Sequence, residues 1–152
     1  MPGSARTDTM AIAVSRFERA AQAAVRGVSR VGWLRALVLS PIVARPGYWF
    51  ATLCGLLWGT VLSFGRIRSQ GGVIVARNCP RWSFGRGGTT IGAVFLTNNA
   101  LSPGILAHEA VHRAQWKRYG LALIPLYIAA GRTGVTNRFE IEAGLKRGGY
   151  IT

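Results

Sequence analysis

Groups able to act as acid, base or metal ligand are scarce in this chain. Its 152 residues hold only two histidines, five Asp+Glu and two cysteines. Cys54 and Cys79 exclude a disulfide framework and fall short of the four thiolates of a conventional iron–sulfur cluster. Lysine is nearly absent too, at Lys117 and Lys146 alone, yet nineteen Lys+Arg leave a formal charge of +14. That excess favours anionic partners such as nucleic acid or acidic lipid and says nothing about fold. The hydrophobic content of 49% excludes a simple disordered basic tail. The length suits one ordinary domain.

No secretory signal is expected. Met1–Met10 is polar, and arginines interrupt the segment where an apolar run would lie. The expected location is therefore cytoplasmic or inner-membrane-associated. Residues 1–46 read as a basic helical region. Over 11–31, Arg16, Arg19, Arg26 and Arg30 fall within an arc of about 80°, opposite Val14, Phe17, Ala21, Val25 and Val28. Such a helix either lies on an anionic membrane surface or packs its apolar side on the domain. Residues 47–65 form an uncharged, largely apolar run spanning roughly 28 Å as a helix. Arg45, Arg66 and Arg68 flank it. Both a membrane span and a buried helix fit this run.

The remainder, 66–152, carries two strand signals, Val73–Arg77 and Ile91–Thr97, each rich in β-branched or aromatic residues. The loop 78–90 between them has room for a short strand at Trp82–Phe84. Its single Arg86-Gly87-Gly88 triplet reads as a tight turn. Ser102–Gly120 is punctuated as a helix: Ser102 as cap, Pro103 at the first position, and Gly120 just past the end.

Inside that helix lies His108-Glu109-Ala110-Val111-His112, the H-E-x-x-H pattern of zinc metallopeptidases. Residues four apart share a helix face, so both imidazoles can converge on one Zn2+. Glu109 is near enough to take a proton from an activated water as general base. Both histidines of the chain fall in this one pattern. A third ligand must be a carboxylate, because no further histidine exists. Asp8 and Glu18 lie far upstream, which leaves Glu140 and Glu142 in a second short helix over Asn137–Gly149. Small residues at Ala143 and Gly144 favour Glu140, although a capping box with Asn137 would also explain it. Projection toward the core favours Glu142. The spacing leaves the two open.

His108–His112 followed by Arg138-Phe139-Glu140-Ile141-Glu142-Ala143 resembles the gluzincin metallopeptidases, particularly the HtpX and CAAX-prenyl-protease families. Their second motif has the form R-F-E-x-x-A-D, and its first Glu, a zinc ligand, falls on Glu140. Gly144 stands where those families place an Asp that supports a zinc-binding histidine. The resemblance covers roughly residues 91–150 and implies a zincin-like fold, bound zinc and a peptide or protein substrate. The chain is also similar to small bacterial proteins with G-R-G-G-T-T and H-E-A-V-H-R-x-Q-W patterns. Some of those carry an iron–sulfur oxidoreductase label, which the cysteine count does not support.

The expected architecture is thus a small α+β domain with N-terminal helices, a small sheet, the H-E-x-x-H helix and a C-terminal ligand helix. Ile91–Thr97 is either the edge on which an extended substrate would pair or an ordinary core strand. Gln115, seven residues after His108 on the same face, either orients a ligand or touches substrate, or is simply solvated. Tyr119, Tyr127 and several arginines are all candidates to stabilise an oxyanion. Residues 121–130 read as a connection interrupted by Pro125. The expected function is zinc-dependent peptide-bond hydrolysis. Two alternatives are a membrane-associated basic protein with a structural or vestigial zinc site, and a nucleic-acid binder supported by charge alone.

Overall fold

Strands that are apolar on both faces need a helical layer on each side. The structure, a computed structural model, describes residues 15–85 and 87–152. It places α1 at Arg16–Arg30, α2 at Gly32–Val38 and α3 at Pro41–Ser63. A four-stranded sheet follows, made of β1 (Ile67–Gln70), β2 (Val73–Ala76), β3 (Gly88–Ile91) and β4 (Val94–Thr97). Then come α4 (Pro103–Tyr119), α5 (Leu123–Ala129) and α6 (Arg138–Ala143). The strand order is β1-β2-β4-β3, with β2 and β4 parallel and both outer pairs antiparallel.

Every residue of β4 is buried. Ala76, Val94 and Leu96 pack with Leu62 of α3, whereas Val73, Val75 and Phe95 pack with Leu106 of α4. The period-two alternation of the strands thus supplies both layers, with α3 on one face of the sheet and α4 on the other. Each fully buried Val, Leu or Phe contributes roughly 1.5–3 kcal/mol. This is a small α+β domain, as the sequence leads one to expect.

The apolar run at 47–65 is helical as far as Ser63, and its helix begins earlier, at Pro41. The glycines that dilute the run form its packing seam. A Cβ at Gly55 would lie 2.8 Å from the Ile91 carbonyl oxygen, and one at Gly59 would lie 3.0 Å from the Ala76 Cβ. Only glycine lets α3 sit this close to the sheet. Among the described residues, no helix is long and apolar enough to cross a membrane.

Several expectations need correction. On α1, Ala21 is buried and Arg16, Arg19, Arg26 and Arg30 are exposed, but Phe17 is 82% exposed. The inner position goes to its neighbour Glu18, which closes a capping box with Ser15 and accepts from the Arg132 amide at 3.1 Å. Consecutive helical residues cannot face the same way. Arg81–Ser83 forms a 3-10 turn rather than a strand, and the strand of this loop is β3 further on. The C-terminal helix stops at Ala143, because Gly144 adopts φ +95°. Val14, Asp8 and the Met1–Met10 stretch fall outside the described residues, as does Arg86.

Candidate metal centre

The punctuation of α4 is as the sequence predicts. Ser102 Oγ accepts from the Ile105 amide at 3.3 Å, Pro103 opens the helix, and Gly120 follows its last residue. This capped helix carries His108 and His112 on one face, with their Nε2 atoms 3.0 Å apart. Glu140 arrives from α6 with its Oε2 at 3.0 Å from His108 Nε2 and 3.4 Å from His112 Nε2. His108 and Glu140 are buried and His112 is half-buried.

The hydrogen bonds at the outer ring nitrogens fix how the imidazoles present themselves. His108 Nδ1 lies 3.1 Å from the Gly144 carbonyl oxygen, which can only accept, so Nδ1 carries the proton. His112 Nδ1 lies 2.8 Å from Gln115 Oε1. The orientation of that amide is determined, because Gln115 Nε2 donates to the Phe139 carbonyl at 3.0 Å and to Glu142 Oε2 at 2.9 Å. His112 Nδ1 is therefore also a donor. When neutral, each ring turns an Nε2 lone pair toward the Glu140 carboxylate. Three electron-rich atoms at such separations repel one another unless positive charge lies among them. A lone proton can bridge only one pair at a time, whereas a divalent cation meets all three donors. Two imidazoles plus a carboxylate, with both rings held from behind, is a donor set that suits Zn2+.

This arrangement separates the two glutamates. Glu140 joins the histidine cluster and also accepts from the Tyr127 hydroxyl. Glu142 does not face the cluster; it holds Gln115. Asn137 caps α6 by accepting from the Phe139 amide at 3.0 Å, and its own amide donates to the Tyr127 and Gly131 carbonyls. That buried asparagine ties α6 to the end of α5, which places Glu140 and Tyr127 together.

Glu109 is nearly buried and accepts from Thr90 Oγ1 at 2.7 Å. It lines a pocket of about 540 Å³ with His108, His112, Glu140, Tyr127 and Tyr150. Beside α4 the pocket is walled by β3, an edge strand of the sheet, and of the two readings of Ile91–Thr97 the core strand holds for Val94–Thr97. β4 is paired on both sides and offers no free edge. Trp116 Nε1 donates to the Thr90 carbonyl at 2.9 Å and braces β3 against α4. Gly148 lies flat on His108; a Cβ there would come 2.6 Å from the ring.

Electrostatics follow from this packing. Burial raises the Glu109 pKa, partly offset by the charge of His112 and by the Thr90 hydrogen bond. Burial also opposes ionisation of Glu140. In the metal-free protein a proton gained at the paired Nε2 atoms of His108 and His112 donates to this carboxylate, as the Tyr127 hydroxyl does, and these hydrogen bonds outweigh burial and hold the carboxyl far below the usual carboxylate range. For His112, burial is outweighed by the Glu140 hydrogen bond, so its pKa is raised.

Of the residues singled out from sequence, His108, Glu109, His112 and Glu140 meet in one place, and Tyr127 joins them. Tyr119 does not; it packs edge-on against Phe139. Gln115 is buried rather than solvated. Its spacing of three from His112 was the available signal. Thr90, the Gly144 carbonyl and Gly148 had none, since their roles depend on tertiary placement. Comparison of the chain with known protein families, curated proteins and solved structures finds no match.

Proposed function

We propose that the chain is a zinc-dependent peptidase of the gluzincin kind, hydrolysing peptide bonds in a peptide or protein substrate. The observation that carries this reading is the inward-facing Nε2 pair of His108 and His112, set against Glu140 with both rings fixed from behind. His108, His112 and Glu140 would hold the metal. When bound, zinc supplies Lewis acidity that polarises a carbonyl and lowers the pKa of water toward about 7.

Glu109 takes the proton from the attacking water and returns it to the leaving amine. Thr90 donates to one of its oxygens and so fixes the carboxylate in the pocket wall. The raised pKa of Glu109 makes it a better proton acceptor than an ordinary carboxylate, as a general base needs. Gln115 and the Gly144 carbonyl hold the rings in position. The edge strand β3 offers the side on which an extended substrate would lie, and Arg132 and Tyr150 line the same pocket.

Two measurements test the reading. Elemental analysis should find about one zinc per chain in the wild type and in Glu142→Ala, and none in His112→Ala or Glu140→Ala. Glu109→Gln should keep its zinc and lose about 10²–10⁴-fold in peptide hydrolysis. Retained hydrolysis in Glu109→Gln would overturn the mechanism. A second reading, a purely structural zinc, draws on the way the three donors join α6 to α4. Zinc-loaded protein with no turnover on broad peptide libraries would select it.

A further inference from the structure

We propose that the outer face of α3 is a docking surface for an anionic lipid bilayer, seated in the interface without crossing it. The helix has two apolar faces on opposite sides of its axis. Ala44, Ala51, Gly55, Gly59 and Leu62 are buried against the rest of the protein. On the other side, Ile42, Trp49, Phe50, Leu53, Leu57 and Val61 are each more than half exposed. Phe64, just past the helix end, extends the face and is 85% exposed. Between Pro41 and Gly65 the only charge is Arg45.

A helix that is apolar all round belongs inside a core or in lipid, and α3 has a core on one side alone. The exposed side chains run along a helix of about 34 Å. The largest apolar patch on a typical monomer covers roughly 300–600 Å². A single aromatic side chain offers about 150–250 Å², so this face exceeds that size.

Charge selects the occupant. Arg45 lies near one end of the face, and Arg66 and Arg68 follow the other; all three are exposed. Arg45 also lines a groove of about 590 Å³ with Lys117, Arg118, Tyr48 and Trp49, between α3 and α4. Trp49 belongs to both the groove and the apolar face. Among the described carboxylates, Glu18, Glu109 and Glu140 are buried, leaving Glu142 as the one exposed. A second copy of this chain would bring the same positive surface and be repelled. A bilayer with anionic headgroups offers an apolar phase and negative charge together, with tryptophans suited to the boundary between them.

Cosedimentation with vesicles tests this directly. The full chain should bind vesicles of phosphatidylcholine with phosphatidylglycerol, less so as salt rises, and should pellet poorly with phosphatidylcholine alone. The Phe50→Ser/Leu57→Ser double variant should lose about tenfold or more in partitioning. Arg45→Gln/Arg66→Gln/Arg68→Gln should lose binding while keeping the same zinc content. Brominated acyl chains should quench tryptophan emission of the wild type, a readout that needs no variant. Equal binding to neutral vesicles, or equal partitioning by the double variant, would overturn the proposal. So would wild type free of anionic vesicles, including the case where Leu57→Ser abolishes self-association in lipid-free buffer and the face belongs to a second copy.

Discussion

The α4–α6 junction and the outer face of α3 invert the usual placement of side chains. At the junction, ionisable groups are buried: His108, Glu109 and Glu140 lie inside, with nearly every polar atom partnered. Along α3, large apolar groups stand in the open. Burying charge and exposing tryptophan are both unfavourable in water unless something external compensates. On the readings proposed above, a small cation would compensate the junction and an extended apolar phase the α3 face. Both proposals thus start from places where the folded chain is incomplete by itself.

Substitutions can set the two regions against each other. The largest effect is expected for Glu140→Ala in the metal-free protein, which leaves buried His108 and half-buried His112 without their anionic partner. Urea unfolding should show a loss of about 3–5 kcal/mol. A loss below about 1 kcal/mol would mean that the cluster is not held together by charge. Gln115→Leu comes next: it removes the acceptor behind His112 and should weaken zinc about 10–100-fold in competition with a chelator, with Glu109 untouched. Gly148→Ala should cost about 1–3 kcal/mol in thermal or urea unfolding, because its Cβ would press on the His108 ring.

Acidity gives a comparison within the junction itself. The pKa of His112 is raised, so its stabilising contribution is complete below its unfolded value, near about 6.5, and lost as pH rises through the folded value. That of Glu140 is lowered, so its contribution is present above about 4.3 and lost as pH falls further. Metal-free stability should therefore peak between roughly pH 5 and 6.5, while zinc affinity climbs with pH as the proton leaves His112. Parallel pH profiles for the two quantities would contradict this placement of the proton. The smallest effect is expected on α3, where Leu57→Gln should change stability in aqueous buffer by no more than about 0.5 kcal/mol.

How much of this was legible in the sequence depends on the range of the interactions. The ends of α4 are set by Ser102, Pro103 and Gly120, which act within a few residues, and its two histidines share a face by helical spacing alone. The two central strands followed from the β-branched and aromatic residues of Val73–Arg77 and Ile91–Thr97. The choice between Glu140 and Glu142 did not, because it turns on Asn137 bonding to the end of α5 and on Gln115 reaching across to α6. Whether Ile91–Thr97 is an edge or a core strand stayed open for a related reason. Ile91–Thr97 is the more β-prone segment, and that same apolar character draws its last four residues into the middle of the sheet. Gly88–Ile91, polar enough to sit at the edge, had the weaker signal. The 47–65 run showed its apolar character plainly, but nothing local distinguished the face with glycines toward the sheet from the face with tryptophans toward solvent.

The support behind His108 has a consequence of its own. In the resembled families an aspartate would occupy that place, whereas here the acceptor is the main-chain oxygen of Gly144, held at φ +95°. A peptide carbonyl does not titrate, so the orientation of His108 is insensitive to acidity at that point. It also adds no formal negative charge behind the ring, leaving the imidazole a weaker electron donor than one backed by a carboxylate. A cation at this site would keep more of its own positive charge, and so more of its pull on an oxygen ligand. The residue at 144 is then constrained by its backbone angle, since any side chain there would strain the turn that aims the carbonyl.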